Sequence, residues 1–230
     1  MRRRSTRRNT AIVAVNSIGD IVKKDELLRE KIVFVDDPIP IYGERLSFFI
    51  AGPPGCGKST TAAQILSFFP QQPIYLFSEV KEDRAFEGLK INRMKMEIDL
   101  IKELNVDIFA SESDCWVVFD DVDQITDAAL SSALCKLMDN LIANGRSHGG
   151  HNINVIATSH SLCDYKKTKY TIENCSYWVF FPKETIKSQL ERLLSKMGLQ
   201  KYDFSSYDRV FIHKRSPLFI VTDHFLSLMN

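Results

Sequence analysis

Residues 52–59 read Gly52-Pro53-Pro54-Gly55-Cys56-Gly57-Lys58-Ser59, and Thr60 follows. Two fixed glycines closed by a lysine and a hydroxyl suit one task above others, which is holding the phosphates of a nucleotide. The glycines let successive backbone N–H groups turn inward around an anion. A helix beginning at Lys58 would aim its N-terminus, with orphan N–H groups and positive dipole end, at the same phosphates. Lys58 is then placed for the β- and γ-phosphates, and the Ser59 hydroxyl for Mg²⁺. Cys56 occupies a variable position, where its thiol is incidental to phosphate binding.

A second group of polar residues supplies what hydrolysis needs. Asp120 and Asp121 follow the apolar run Cys115–Phe119. The first acid after such a strand can hold Mg²⁺, usually through water, because Mg²⁺ gives up its hydration reluctantly. The next, Asp121, is placed to orient and polarise the attacking water. Asp123 and Glu79 are the other candidates for that role, whereas a helix-capping role suits Asp123 and Asp127 as well. Thr158, Ser159 and His160 end another apolar run, Ile153–Ala157, where a hydroxyl can sense the γ-phosphate or simply cap the strand. Arg146 lies at the end of a long helical pattern. It is either an arginine finger acting across a subunit boundary or a cation at the negative end of a helix dipole. Lys214 and Arg215 are weaker candidates for a finger.

These residues need a frame. Leu46–Ile50, Pro73–Phe77, Cys115–Phe119, Ile153–Ala157 and Tyr177–Phe181 are short apolar runs suited to buried strands. Leu130, Leu134, Leu137 and Leu141 recur at helical spacing, which predicts an amphipathic helix over Asp127–Ala143. Thr60–Leu66 and Thr185–Met197 also read as helices, the latter stopped by Gly198, and residues 100–105 look helical. Arg209–His213 and Leu218–Thr222 predict a C-terminal β-hairpin. The charged stretch 80–100 is not assigned. Alternating strands and helices imply a three-layer α/β/α fold on a mainly parallel sheet, with ligands at the strands' carboxyl ends.

Composition sets outer limits. The chain has 230 residues, room for one domain with a sizeable core, and no apolar run long enough to span a bilayer. Five cysteines, an odd number, read as reduced thiols in an intracellular protein. The spacing of His160, Cys163 and Cys175 matches no strong zinc pattern. Five arginines, Arg2, Arg3, Arg4, Arg7 and Arg8, crowd the start, and removing them takes the net charge from +1 to −4. Residues 1–30 therefore read as a basic arm with a short helix, and residues 31–230 as the catalytic domain. Such an arm suits electrostatic contact with nucleic acid or a localisation signal equally.

Gly52–Ser59 is a Walker A loop and Asp120-Asp121 after Phe119 a Walker B pattern, in a strand–loop–helix context. A further strand candidate, Pro73–Phe77, lies between them in sequence. An extra strand between the two motif strands is expected of the ASCE class of P-loop ATPases, whereas nucleotide kinases and GTPases usually pair those strands directly. The order Gly52–Ser59, Phe119-Asp120-Asp121, Gly145-Arg146-Ser147-His148, then Asn154–His160 and Asn174-Cys175-Ser176-Tyr177 resembles the viral genome-packaging ATPases of the FtsK–HerA superfamily. Large DNA viruses, virophages and polinton-like elements carry the likest members. The resemblance spans roughly residues 45–182.

That resemblance implies an ASCE fold and an ATPase that uses Mg²⁺. It implies a homo-oligomeric ring, pentameric or hexameric, with Arg146 as the trans-acting finger. It also implies translocation of double-stranded DNA into a preformed capsid, contact with a capsid vertex or capsid protein, and work in the host cytoplasm at the viral assembly site or with the virion. Many members carry Gln where Ser159 stands, so His160 is a further candidate for the sensing role. The run Lys166-Lys167-Thr168-Lys169 suits a DNA-facing loop or an ordinary solvated face. Two rival functions remain: an AAA-type remodeller or helicase-loader, and an ATP-binding switch or scaffold with low turnover. The short stretch after Gln200 leaves little room for the helical lid domain of the first, and Asp in place of the usual Glu at 121 keeps the second open.

Overall fold

The computed structural model describes residues 45–109, 113–146, 150–164, 168–196, 198, 204–205 and 208–213. The basic arm, the strand candidate Ile32–Val35, Lys166, Lys167, Lys214, Arg215 and the Leu218–Thr222 half of the expected hairpin lie outside them.

Seven strands form one sheet: β1 (Ser47–Ala51), β2 (Ile74–Phe77), β3 (Ile91–Arg93), β4 (Cys115–Phe119), β5 (Ile153–Ser159), β6 (Tyr177–Phe180) and β7 (Val210–His213). Their spatial order is β3-β2-β4-β5-β1-β6-β7. All pairs are parallel except β6 with β7. The fold is an α/β P-loop fold of the ASCE kind, because one strand separates the Walker A strand β1 from the Walker B strand β4. That strand is β5. The Pro73–Phe77 candidate became β2 and lies beyond β4, since sequence order carries no information on where a crossover lands.

Alternation along the strands divides the core in two. Phe48, Ile50, Leu76, Trp116, Val118 and Ile156 pack on one face with Ala62, Ile65 and Leu66 of α1 (Lys58–Ser67). Phe49, Ala51, Val117, Phe119, Val155 and Ala157 pack on the other. There they meet Ile101 of α2 (Ile98–Glu103), Phe109 of α3 (Val106–Phe109) and Leu134, Leu137 and Leu141 of α4 (Ala128–Asn144). Ile172 of α5 (Lys169–Asn174) and Leu190, Leu193 and Leu194 of α6 (Lys187–Lys196) join the same face. The leucine spacing read from the sequence is thus the core-facing stripe of α4, with Leu134, Leu137 and Leu141 buried and Leu130 partly so. Asp127 caps that helix, its Oδ1 accepting from the N–H groups of Ala129 and Leu130 at 2.9 and 3.1 Å. The short edge strand β3, partly exposed and carrying Asn92 and Arg93, shows no apolar run and had no sequence signal.

Asp139 on α4 is half-buried, and burial pushes its carboxyl from 3.8 to about 6. The folded state therefore binds this proton more tightly than the unfolded chain, and stability falls as pH rises from about 4 to 6. Above that window the buried charge opposes folding in full. Asp139→Asn should therefore raise urea resistance at pH 7.5, by on the order of 2 kcal/mol. The gain should shrink toward zero at pH 4; a gain of equal size at both pH values would mean that burial of the charge is not the cause.

Candidate active site

The carboxyl ends of β1, β4 and β5 meet at the glycine loop. The Gly52 N–H donates to the Ser159 carbonyl at 3.1 Å, tying the start of the loop to the end of β5. A Cβ at Gly52 would lie 2.6 Å from Cys56 Sγ and 2.9 Å from Phe181 Cδ2, so the loop closes only over a glycine. Gly57, with φ 100°, is the left-handed residue from which α1 starts. Lys58 follows and is only 5% exposed. Its Nζ donates to the Gly52 and Pro53 carbonyls at 3.2 and 3.4 Å and stands 3.7 Å from Asp121 Oδ2. Pro54, Gly55 and Thr60 are exposed along the rim of the loop.

Asp120 is buried among hydroxyls. Ser78 donates to its Oδ2 at 3.0 Å, and Thr158 Oγ1 and Ser59 Oγ lie 3.0 and 3.5 Å from its Oδ1. Burial, and then the neighbouring Asp121 carboxylate, push Asp120 above the usual carboxylate range, and the Thr158 and Ser78 hydrogen bonds offset part of the rise. A cation brought to these oxygens relieves that cost. Hydroxyl and carboxylate oxygens are the donors Mg²⁺ prefers, and it needs few of them from protein because it keeps waters and phosphate oxygens. Ser59 and Asp120 therefore fit the ion.

Asp121 has φ 49°, a left-handed backbone that Asp tolerates better than most side chains. Its N–H donates to Thr158 Oγ1 at 2.8 Å, and Thr158 Oγ1 is 3.0 Å from its Oδ1. His160 Nε2 is 2.8 Å from Asp121 Oδ2. The carboxylate is thus held from three sides, by Lys58, Thr158 and His160. Of the three acids weighed for water activation, Asp121 is the one beside Lys58. Glu79 is exposed, and Asp123 lies on the opposite face of the sheet.

Strand alternation also separates the sensor candidates. Thr158 follows Ile156 onto the α1 face, where the loop lies; Ser159 follows Ala157 onto the α4 face. Ser159 is 2% exposed, and its Oγ donates within bonding distance of Asp123 Oδ2, 2.9 Å away. The structure therefore joins Ser159 to Asp123, and brings Thr158 and His160 to the loop in its place. A parity count along the strand held this information, once the face bearing α1 is known.

Arg146 is exposed just past α4, at the amino end of the sheet, where the Ile153 N–H donates to the Gly145 carbonyl. The length of β5 separates it from its own loop, about 20 Å at strand rise. It cannot serve the site of its own chain.

Beside the loop opens a cavity of about 240 Å³ lined by Gly57, Thr60, Thr61, Phe181, Lys183 and Arg209, among others. Arg209, just before β7, is 5% exposed and donates from one terminal nitrogen to Thr61 Oγ1 and Gln64 Oε1, both at 2.7 Å. Sequence reasoning missed it; it reads there only as the polar start of a strand.

Fold and site together define a P-loop ATPase domain, a class that binds ATP with Mg²⁺. The model of the "ATPase family associated with various cellular activities (AAA)" matches residues 48–174, more than half of the chain, and the chain belongs to that family. No curated protein matches the sequence. Among solved structures, the chain is similar to the pCW3 conjugation coupling protein TcpA in its monomer form with ATPγS. The TM-score is 0.53 at 14% identity, over 81% of this chain and 66% of that one. Weaker likenesses are to the genome packaging NTPase B204 of Sulfolobus turreted icosahedral virus 2. With AMPPCP the TM-score is 0.45 at 11% identity, covering 78% and 97%; with AMP it is 0.43 at 12%, covering 78% and 98%. At 14% identity the TcpA likeness speaks to fold alone, and the B204 likenesses, with TM-scores of only 0.45 and 0.43, carry no argument. No helix among the described residues is long and apolar enough to cross a membrane.

Proposed function

We propose that this chain is the ATP-hydrolysing subunit of a ring motor that moves double-stranded DNA into a preformed capsid. The observation that carries the multisubunit reading is the place of Arg146, exposed and a strand length away from its own loop. A cation so placed is out of reach of its own loop, which supports a role in a neighbour's site over one in its own. The packaging part rests on the resemblance of the motif order from Gly52 to Tyr177; the basic arm and the Lys166–Lys169 run add cations suited to DNA phosphates.

In this reading one subunit supplies Lys58, Ser59, Asp120 and Asp121, and the adjoining one supplies Arg146. Ser59 and Asp120 would hold Mg²⁺, which when bound would draw charge from the phosphate oxygens. The loop N–H groups cradle the phosphates, and Lys58 turns from the Gly52 and Pro53 carbonyls to the γ-phosphate. Asp121 orients the attacking water and draws on its proton, while Thr158 and His160 keep its carboxylate aimed. The cavity bounded by Thr60, Phe181 and Arg209 takes the nucleoside. DNA is gripped by its phosphates, because a motor must pass over any sequence.

Measuring ATP hydrolysis with and without double-stranded DNA, alongside the size of the nucleotide-bound oligomer, tests the proposal. Stimulation by DNA of any sequence, falling steeply with salt, is the expected result. Hydrolysis by a ring that ignores DNA would sink the motor reading. The AAA family match supports a second reading, a remodeller of proteins, which predicts stimulation by a folded polypeptide substrate instead.

A further inference from the structure

Arg45 stands just before β1, at the same end of the sheet as Arg146. Its guanidinium donates to three main-chain carbonyls: Nε to Ile153 at 2.7 Å, and the two terminal nitrogens to Ile142 at 2.6 Å and Leu141 at 2.5 Å. Two of these carbonyls belong to the last turn of α4, at the negative end of the dipole; that of Leu141 also accepts from the N–H of the Gly145 cap, while helix geometry leaves that of Ile142 without an intrahelical donor. The third opens β5. One planar fork thus pins the end of α4 to the start of β5, and the segment between them carries Arg146.

Gly145 fits into the same clamp. Its N–H donates to the Leu141 carbonyl and its own carbonyl accepts from the Ile153 N–H, both at 2.9 Å. A Cβ there would lie 2.7 Å from the Leu141 oxygen, 3.1 Å from Ile153 Cβ and 3.2 Å from Arg45 Nε. Arg146 is the next residue, and it is exposed. Burial lowers the Arg45 pKa to about 10; the neighbouring Cys175 raises it in part, and the like charge of Arg146 lowers it to a smaller extent, so Arg45 keeps its charge at neutral pH and repels Arg146. A like charge near Arg146 disfavours its folding back onto Arg45.

We infer that Arg45 is a positioning residue that presents Arg146 to the loop of an adjoining subunit and acts on hydrolysis only through it. The inference rests on the trans role proposed for Arg146. Lysine cannot replace the fork, because a single ammonium does not span three carbonyls in one plane.

Mixed rings test it. Arg146→Ala alone should lose ~10³–10⁵ in kcat, as removal of an arginine finger does, and Lys58→Ala alone should be inactive. Mixed together they should recover activity, the loop of one working with the finger of the other. Arg45→Lys should lower kcat with the KM for ATP unchanged. It should be rescued by Lys58→Ala subunits and not by Arg146→Ala subunits. In one chain with Arg146→Ala it should add no further loss. Gly145→Ala, which disturbs the clamp without touching a charge, should behave as Arg45→Lys does. Ring formation by each variant, and ATP-analogue binding by each except Lys58→Ala, show that it is folded before mixing. Failure of the first mixture would overturn the finger, and this inference with it. Success of the first mixture, with both clamp variants folded but not rescued by Lys58→Ala, would overturn the positioning role alone.

Discussion

Lys58→Ala should cost the protein its ATP hydrolysis, by at least ~10³-fold. A neutral donor to a developing charge is worth ~10²–10³, and Lys58 carries a full charge in a site where its side chain is 5% exposed. Its present partners are weak ones for an ammonium: two carbonyls beyond 3 Å and a carboxylate at 3.7 Å. Little therefore holds Lys58 back from a phosphate. The same substitution leaves Asp120 and Asp121 side by side with one cation fewer, so nucleotide affinity and hydrolysis should fall together. Hydrolysis measured at saturating ATP, with binding of a fluorescent analogue, checks this. Near-parental turnover would mean that the loop is not the hydrolytic site.

Asp121→Asn should separate binding from chemistry. Removing a positioned base typically costs ~10²–10⁴, and Asn leaves the rest of the residue's surroundings intact. It accepts the left-handed backbone at φ 49° as Asp does, and its amide oxygen can still accept from His160. Alanine at this position would confound lost chemistry with backbone strain. Single-turnover hydrolysis should slow by that factor while affinity for ATP stays within a few-fold. Should Asp121→Asn hydrolyse normally while Asp123→Asn does not, water activation would belong on the other face of the sheet.

Much of this was written in local sequence. The loop, the two acids after Phe119 and the leucine stripe of α4 each depend on residues within one or two turns of chain, and local patterns report local structure. What escaped is the product of crossovers. That β5 rather than β2 lies between the motif strands follows from how helices pack, not from any short stretch. The pairing of His160 with Asp121 and of Ser159 with Asp123 needs the face assignment as well as the period of the strand. Arg45 and Arg209 illustrate the limit. Each is a lone arginine beside a strand in the sequence, and its meaning comes from carbonyls or side chains about a hundred or more residues away. Residues 91–93 escaped for another reason: an edge strand with polar side chains has no apolar signature to read.

β1 comes first among the described strands yet completes its edges late. Leu46 pairs with Asn154, 108 residues on, and Ser47 with Ser176, 129 residues on. During synthesis, Phe48, Phe49 and Ile50 must wait as unpaired apolar backbone until β5 and β6 have left the ribosome. Contacts this distant in sequence slow folding, and open strand edges invite association with other chains. Arg209 reaches Thr61 across 148 residues, so the helix that carries Lys58 is locked in place last. A nascent chain therefore gains its nucleotide site only after β5, β6 and the segment around Arg209 have all been made, which makes competence to hydrolyse ATP a report that the sheet has closed.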